Sequence, residues 1–298
     1  VLKAGGGFEI RDLPIPEPGF DECLIEVSSC GVCTSDMGAW KNGLGHEEVL
    51  GHEVIGRIAK TGADVTEFEI GQIVTGCIMQ GYAEYTVAKA EKLILLSDDT
   101  QDKDAIFEPF VCLLSGVDRL APTAQAKIAV VGAGYMGLAL MQILKCRGIT
   151  NITAIDKAES ALKNVSDITG CKAVYPEDVA GEVFDIVFEV GGSQSSLDLA
   201  SSLGRQYGIL GILGYHPCVR TVDMQLWAGK ALTAVNIFEY RQNKQLDYMK
   251  EALLYETQGK LSSGKLITHS FSFEDITQAF TTHCNKPEGY IKGIVKLK

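Results

Sequence analysis

Histidine, tryptophan and positive charge are scarce in this sequence of 298 residues. It holds five histidines and two tryptophans, and 38 acidic residues outnumber 27 lysines and arginines, which gives a net charge of −11. Nucleic acids and anionic membrane surfaces bind basic surfaces, so this charge argues against both as partners. Low-complexity runs and repeats of fixed period are missing as well, and a hydrophobic fraction of 46% disfavours a disordered chain.

Long apolar runs are missing with one exception, the 17 residues 128–144. Three glycines interrupt the first half of that run, so a buried strand, a glycine turn and a buried helix explain it better than a membrane span. Residues 1–20 are polar and rich in proline, unlike a signal peptide. Nine cysteines, an odd number, are scattered along the chain, which is typical of a reducing, cytoplasmic compartment.

The first hundred residues predict short strands joined by glycine turns, because they are rich in β-branched and aromatic side chains. The predicted strands are 23–30, 53–60, 71–76 and 82–88. We expect a compact β barrel or sandwich from them. Apolar residues at helical spacing over 102–120, interrupted by Pro109, then predict a helix.

After Ala126, predicted strands alternate with predicted helices. The strands of this part are 127–134, 151–156, 184–192, 206–214 and 230–238. Such alternation requires parallel pairing with right-handed crossovers, and it predicts a doubly wound α/β domain. Near residue 265 the pattern changes again. Ser272 and Asp275 resemble a capping box, and residues 293–298 predict a final strand that could return to the first domain.

A glycine triplet, Gly132-x-Gly134-x-x-Gly137, follows the first strand of this α/β part and opens a helix. The next strand ends at Asp156, 22 residues after Gly134. This is the context in which such a triplet binds a dinucleotide. Gly132 permits the tight turn, Gly134 lets the backbone approach a pyrophosphate, and Gly137 lets the helix pack closely on the strand.

The cofactor predicted from this triplet is NAD. The helix that begins at Tyr135 and Met136 offers free backbone N–H groups to the phosphates. Asp156 can accept hydrogen bonds from the ribose hydroxyls and would repel a 2′-phosphate, which favours NAD over NADP, whereas the neighbouring Lys157 weakens that preference. A glycine-rich turn that binds nothing, or that binds FAD, is the alternative.

Cys33 and His52 are candidate metal ligands, 19 residues apart. A thiolate, an imidazole and a carboxylate together are typical of a catalytic zinc with one open position, and sulfur argues against magnesium or calcium. Cys30 and Cys33 also form a C-x-x-C pair, for which a redox dithiol or half of a structural zinc site is the alternative. We interpret His46 as a loop residue, and His216 as a loop residue or a substrate contact.

Five motifs give the sequence a family resemblance: "GVCTSD", "GHEVIGRI", "GYAEYTV", "FEPF" and "VVGAGYMG" occur in this order. The chain resembles the zinc-dependent medium-chain dehydrogenases/reductases, the family of alcohol, sorbitol and threonine dehydrogenases. The resemblance implies a discontinuous GroES-like β-barrel catalytic domain, residues 1–107 and 265–298, and a Rossmann NAD-binding domain, residues 108–264. It also implies a substrate site in the cleft between them.

The resemblance also assigns metal ligands. Cys33 and His52 match the thiolate and imidazole ligands of the family, and Glu108 matches the acidic third ligand of its polyol-type members. Glu53 matches a glutamate that sits behind the metal and in some members moves onto it. Neighbours in an extended strand point to opposite faces, so we rank Glu108 above Glu53 as the third ligand.

Two further matches and two departures concern the surroundings of the metal. Asp36 would orient the ring of His52, and Ser35 would hydrogen-bond the substrate hydroxyl. The family often has a histidine where this chain has Gly38, so the route by which the proton leaves is open. Cys77 stands alone where many members carry four cysteines, and we expect no structural zinc.

The activity that the resemblance implies is reversible oxidation of a secondary alcohol on a polyol, sugar or cyclitol. It would need NAD and one catalytic zinc ion, with a small alcohol or carbonyl compound as the substrate and a homodimer or homotetramer as the assembly. Two alternatives remain. One is a zinc-free, NADPH-dependent double-bond reductase of the same superfamily, and the other is a non-catalytic nucleotide-binding relative.

Overall fold

The computed structural model describes residues 1–96 and 105–297, and the chain divides into two compact units. Unit 1 comprises Val1–Pro109 and Arg241–Lys298, and unit 2 comprises Phe110–Tyr240. The first boundary lies two residues after the predicted one, but the chain returns to unit 1 at Arg241 instead of 265. The reason is the helix Gln242–Thr257, which packs against a strand of unit 1.

Strands and helices are numbered here in chain order over the described ranges. The strands are β1 (Glu22–Gly31), β2 (Val54–Thr61), β3 (Ile73–Gly76), β4 (Tyr85–Lys89), β5 (Leu93–Leu95), β6 (Ile128–Val131), β7 (Ile152–Ile155), β8 (Lys172–Val174), β9 (Phe184–Glu189), β10 (Gly204–Ile212), β11 (Thr233–Asn236), β12 (His269–Ser272) and β13 (Gly293–Lys296). The α-helices are α1 (Asp36–Asn42), α2 (Phe110–Leu120), α3 (Tyr135–Cys146), α4 (Glu159–Asn164), α5 (Gln194–Leu203), α6 (Met224–Lys230), α7 (Gln242–Thr257) and α8 (Ile276–Asn285).

Unit 1 is built on one mainly antiparallel sheet in the order β12-β13-β1-β2-β3-β5, with β4 also paired to β1. Its buried core includes Ile25, Val27, Ile58 and Phe280. The final strand, β13, pairs antiparallel with β1, with Cys30 opposite Val295. The prediction that the last strand returns to the first domain is therefore confirmed.

Unit 2 is a parallel sheet in the order β11-β10-β9-β6-β7-β8, covered by helices. The chain builds β6, β7 and β8 in one direction and then continues from β9 on the other side of β6. The strand order thus reverses between β6 and β9, and doubly wound sheets bind their ligands at the carboxyl ends of the strands at such a point. The predicted fold class is confirmed.

The apolar run 128–144 divides into β6, a glycine turn and α3. In the part of the chain that the structure describes, no helix is both long enough and apolar enough to cross a bilayer. The predicted helix over 102–120 is seen from Phe110 onward, directly after Pro109, and residues 102–104 lie outside the described residues.

The structure differs from the prediction at the start of the helix near the C-terminus and at several short elements. The helix near the C-terminus, α8, begins at Ile276 with Asp275 at its N-cap, so Ser272 caps nothing. Ser272 ends β12 instead, and its hydroxyl donates a hydrogen bond to Asp275 at 2.8 Å. The sequence reading also missed α1, β5, β8 and β12, because each is too short to carry a clear period.

Candidate metal and nucleotide sites

The turn between β1 and α1 carries three of the predicted site residues. Cys33 follows the end of β1, and Asp36 is the first residue of α1. Ser35, between them, donates a hydrogen bond from its hydroxyl to the Cys33 Sγ at 3.2 Å. The same hydroxyl lies 3.5 Å from the His52 Nε2, so Ser35 stands beside both candidate ligands.

Gly51 explains why His52 and Glu53 can face the same side. It has a φ of +100°, and a Cβ there would lie 2.9 Å from the Cys30 Sγ and 2.9 Å from the Tyr82 backbone nitrogen. Only glycine fits such a bend. β2 begins at Val54, so the two residues precede the extended strand, and the alternation that would separate their side chains does not apply to them.

Cys33, His52 and Glu53 form a compact group. One ligand atom from each lies within 4.8 Å of the other two, and no second group of this kind occurs in residues 1–96 or 105–297. Burial would lower the pKa of His52, but the hydrogen bond and charge of Cys33 outweigh it and raise that pKa to about 10. Without a metal, the imidazole therefore carries a proton that a metal ion would have to displace.

Glu53 is also paired with a buried cation. The Lys292 Nζ lies 2.7 Å from both carboxylate oxygens and donates its hydrogen bond to Oε1. Oε2 is equally close but outside hydrogen-bonding angles, and it is a buried oxygen without a hydrogen-bond partner. The side chains of Lys292 and Glu53 are 4% and 1% exposed, so this ion pair is fully desolvated. The sequence reading missed Lys292.

Glu108 lies outside the compact group, although it contributes electrostatically to His52. Burial raises the pKa of Glu108 to about 7. The geometry therefore favours Glu53 over Glu108 as the third ligand, against the ranking made from the sequence. Glu108 immediately precedes Pro109.

Asp36 lies behind His52 at the position predicted for an orienting carboxylate. Its Oδ1 is 3.5 Å from the His52 Nδ1, which is longer than an ordinary hydrogen bond. The Tyr82 hydroxyl donates to the Gly31 carbonyl at 2.8 Å and lies 3.4 Å from the other oxygen of Asp36. Burial raises the pKa of Asp36 above its ordinary value.

The donor set fits a zinc ion. Sulfur, imidazole nitrogen and carboxylate oxygen are the three kinds of atom that zinc takes as ligands. Glu53, whose Oε2 is buried without a hydrogen-bond partner, places a carboxylate oxygen in the same group as the thiol and the ring. A cation would also stabilise the Cys33 thiolate and neutral His52 that metal binding requires.

The glycine triplet has the geometry predicted for each of its members. Gly132 has a φ of +110°, and a Cβ there would lie 2.9 Å from the Gly191 nitrogen. A Cβ on Gly137 would lie 2.1 Å from the Gly132 carbonyl oxygen, whereas one on Gly134 would meet nothing within 4 Å. Gly134 thus leaves an open space at the start of α3, which fits a bound pyrophosphate.

Asp156 follows β7 and is tied to the glycine loop. Its carboxylate accepts hydrogen bonds from the Ala133 nitrogen at 2.8 Å and the Ala158 nitrogen at 3.0 Å. Each oxygen retains a second lone pair, so a ribose hydroxyl can still donate to it. Lys157 is exposed, Met136 is half-buried, and the side chain of Tyr135 is buried, which leaves the backbone of Tyr135 for a ligand.

The remaining histidine and cysteine candidates have local explanations. His46 is 67% exposed and lies 3.4 Å from Glu48, as expected of a loop residue. His216 contacts Glu189 and Arg220 through its two ring nitrogens. Cys30 is completely buried in β1, and burial raises the pKa of its thiol well above the ordinary value, which argues against a reactive dithiol.

Known proteins resemble this chain in sequence. Residues 19–98 match the alcohol dehydrogenase GroES-like domain. The chain is 25% identical to the uncharacterized zinc-type alcohol dehydrogenase-like protein YdjJ of Escherichia coli, over 100% of this chain and 98% of that protein. It is also 25% identical to the sorbitol dehydrogenase of Gallus gallus, over 95% of this chain and 92% of the relative.

Solved structures share the fold. An Escherichia coli oxidoreductase/dehydrogenase of unknown specificity superimposes with a TM-score of 0.86 at 22% identity, over 99% of this chain and 97% of that one. The 2R,3R-butanediol dehydrogenase of Bacillus subtilis gives a TM-score of 0.84 at 22% identity, over 99% and 98%. The GroES-like match and these sequence relatives support the resemblance to the medium-chain dehydrogenases/reductases, and the solved structures show that the fold is shared.

Proposed function

We propose that this protein is a zinc-dependent oxidoreductase that transfers a hydride between a secondary alcohol and NAD. The observation that carries the proposal is the grouping of Cys33, His52 and Glu53 within 4.8 Å, a donor set typical of catalytic zinc. The same chain also holds a complete dinucleotide fingerprint, so a metal and a hydride acceptor can be expected together. The names of the relatives, a zinc-type alcohol dehydrogenase-like protein and a sorbitol dehydrogenase, support the same activity.

Zinc, when bound, would supply a Lewis acid that polarises the oxygen of the alcohol or carbonyl substrate. Cys33, His52 and Glu53 would hold the ion, with Asp36 orienting the His52 ring. The Ser35 hydroxyl would hydrogen-bond the substrate hydroxyl, since it already stands 3.2 Å from Cys33 and 3.5 Å from His52. The group would fix the reacting oxygen in place, and the Ser35 hydroxyl would receive its proton.

NAD, when bound, would supply the hydride acceptor. The open space at Gly134 and the first N–H groups of α3 would hold its pyrophosphate, and Asp156 would accept hydrogen bonds from its ribose. The Asp156 carboxylate would repel a 2′-phosphate, which supports NAD over NADP. We further propose a polyol, sugar or cyclitol as the substrate, and a homodimer or homotetramer as the assembly.

The proton must leave by a route that the family's usual histidine does not provide. Gly38 occupies that position, and a Cβ there would meet nothing within 4 Å. A ribose hydroxyl of the cofactor or bulk water would carry the proton away. A reducing, cytoplasmic location remains a prediction from the scattered cysteines.

A substrate panel with metal analysis tests the proposal. The purified protein should contain one zinc per chain, reduce NAD faster than NADP with a polyol or sugar, and lose both zinc and turnover in Cys33→Ser. Cys77→Ser is the matched control, because serine can still donate to Gln245 as the thiol does at 3.2 Å. Reduction of activated double bonds by metal-free protein would favour the zinc-free reductase. Bound zinc and NAD without turnover would favour the non-catalytic relative.

A further inference from the structure

A buried polar network lies at the carboxyl end of the unit 2 sheet. Glu189 is the last residue of β9 and is completely buried. Its Oε1 accepts hydrogen bonds from the Gly192 nitrogen at 2.8 Å and the Ser196 hydroxyl at 2.6 Å. Its Oε2 lies 2.9 Å from the Nε2 of His216, in the segment after β10. One carboxylate therefore joins the segments that follow two neighbouring strands.

The contacts of His216 determine its tautomer. The Arg220 Nε lies 3.1 Å from the His216 Nδ1, and a guanidinium can only donate. Nδ1 must therefore accept, and the ring proton resides on Nε2, from which it is donated to Glu189. The same guanidinium donates to the Gly192 carbonyl at 2.8 Å and lies 2.8 Å from the Cys218 Sγ. A neutral imidazole thus bridges a carboxylate and a guanidinium.

This network lies directly beside the glycine turn. A Cβ on Gly132 would lie 2.9 Å from the Gly191 nitrogen, so the turn after β6 packs against the turn after β9. A Cβ on Gly214 would lie 2.4 Å from the Gly192 nitrogen, so the turn after β10 packs against it in the same way. The three turns touch backbone to backbone. They lie where the strand order reverses, which is where a doubly wound sheet binds its ligand.

We infer that His216 is a positioning residue for the dinucleotide. Its ring holds the turn after β10 against Gly191 and Gly192, and those residues set the space beside the Gly132 turn. The cofactor then meets a preformed surface and does not have to order it on binding. The inference rests on the proposed use of a nucleotide. Neither ring nitrogen of His216 is then available for a hydrogen bond to a substrate, because both are already engaged.

Binding of NADH to His216 variants, measured by titration calorimetry on the full chain, tests this role. We expect His216→Ala to raise the NADH dissociation constant about tenfold, the scale of one lost hydrogen bond to a charged group. His216→Gln should restore most of the affinity, because its amide offers one donor and one acceptor. Zinc content should stay unchanged in both variants, since the metal group belongs to unit 1.

Two further variants separate positioning from general stability. Arg220→Gln removes the other support of the ring and should weaken NADH binding as His216→Ala does, and it also serves if His216→Ala does not fold. His46→Ala, at a 67% exposed position, should bind like the unchanged protein. Lower thermal midpoints with unchanged NADH affinity would overturn the inference. If the unchanged protein bound neither NADH nor NADPH, the proposed function itself would fail and the inference with it.

Discussion

Glu53 bears on both the proposed metal binding and the stability of unit 1. It shares one group with Cys33 and His52, yet it also faces the buried Lys292 ammonium at 2.7 Å. Breaking a buried ion pair by removing one charge costs far more than the pair adds to stability, because the other charge stays desolvated. We therefore expect a substitution here to have two separable effects, one on metal binding and one on folding.

Comparing Glu53→Gln with Glu108→Gln distinguishes the two candidate third ligands. We expect Glu53→Gln to lose zinc and about 3 kcal/mol or more of unfolding free energy, since Lys292 loses its carboxylate. Glu108→Gln should keep its zinc. Metal analysis and denaturant unfolding measure the two effects.

A double variant provides the control for this comparison. Glu53→Gln combined with Lys292→Met should regain much of the stability, because no buried charge of this pair remains, but it should not regain zinc. If Glu108→Gln lost the metal and Glu53→Gln kept it, the ranking made from the sequence would be right and the geometric argument wrong.

Residue types in the site were predictable from the sequence, and their pairings were not. Cys33, His52 and Glu53 lie in short motifs with a known chemical logic. Lys292 is 239 residues from Glu53, and nothing local marks it as a partner. Glu53 was ranked below Glu108 from the geometry of an extended strand, whereas Gly51 bends the chain before β2 begins.

At the scale of elements, the glycine triplet has two separate effects where α3 follows β6. Gly137 lets the helix approach the strand, and Gly134 keeps a space open in front of the helix. The sequence predicted these elements well because both lie largely in the apolar run 128–144, which the glycines divide. Among the short elements that it missed, β5 has three residues and α1 has seven. An apolar period is not recognisable over so few positions.

Alanine at the two glycines should separate packing from binding. Gly137→Ala places a methyl 2.1 Å from the Gly132 oxygen and should lower the unfolding free energy by about 1–3 kcal/mol. Gly134→Ala should fold normally, since its φ of −75° suits alanine, but should bind NADH about tenfold more weakly. Thermal unfolding and NADH titration provide the readouts. Equal affinity in Gly134→Ala would argue against a pyrophosphate at this turn.

Helix α8 is joined to the turn after β1 by a buried histidine. The His283 Nε2 lies 2.9 Å from the Thr34 hydroxyl, and its Nδ1 lies 2.9 Å from the Tyr290 hydroxyl. Burial, with the nearby positive charge of Lys292, lowers the pKa of His283 from 6.5 to about 3. The folded protein therefore holds this ring neutral over a range in which the unfolded chain would protonate it.

Acid should destabilise the protein through His283. A depressed pKa contributes stability that is complete above the unfolded value of 6.5 and lost as the pH falls toward 3. The unfolding free energy of the unchanged protein, relative to that of His283→Gln, should thus fall by about 1.4 kcal/mol per pH unit below 6.5. Denaturant unfolding at several pH values measures it, with His46→Gln as an exposed control. Parallel pH curves for His283→Gln and the unchanged protein would contradict this account.

At the scale of the whole molecule, the open edges of the unit 2 sheet bear on assembly. β11 and β8 are its two outermost strands among the described residues. The Ile237 nitrogen donates to Ile212 of β10, so by alternation the Ala234 N–H points away from the sheet. Val174 of β8 accepts from Asp156, which likewise turns the Ala173 N–H outward. At either position a proline would remove an outward N–H group, so Ala234 and Ala173 form a matched pair.

Ala234→Pro and Ala173→Pro test which edge assembles. The family usually pairs its Rossmann domains edge to edge, and we expect a homodimer or homotetramer that uses β11. Ala234→Pro should then reduce the mass in solution, because proline removes an outward donor, and Ala173→Pro should not. Light scattering after size exclusion measures both. A single-chain mass for the unchanged protein would refute the expected assembly.

The pairing of β13 with β1 has a consequence for biosynthesis. Unit 2 leaves the ribosome complete while unit 1 still lacks its last two strands, β12 and β13. Glu53 is translated 239 residues before the lysine that neutralises it. A nascent chain can therefore fold unit 2 early, but it cannot bury the Glu53 carboxylate against Lys292 until synthesis is almost finished.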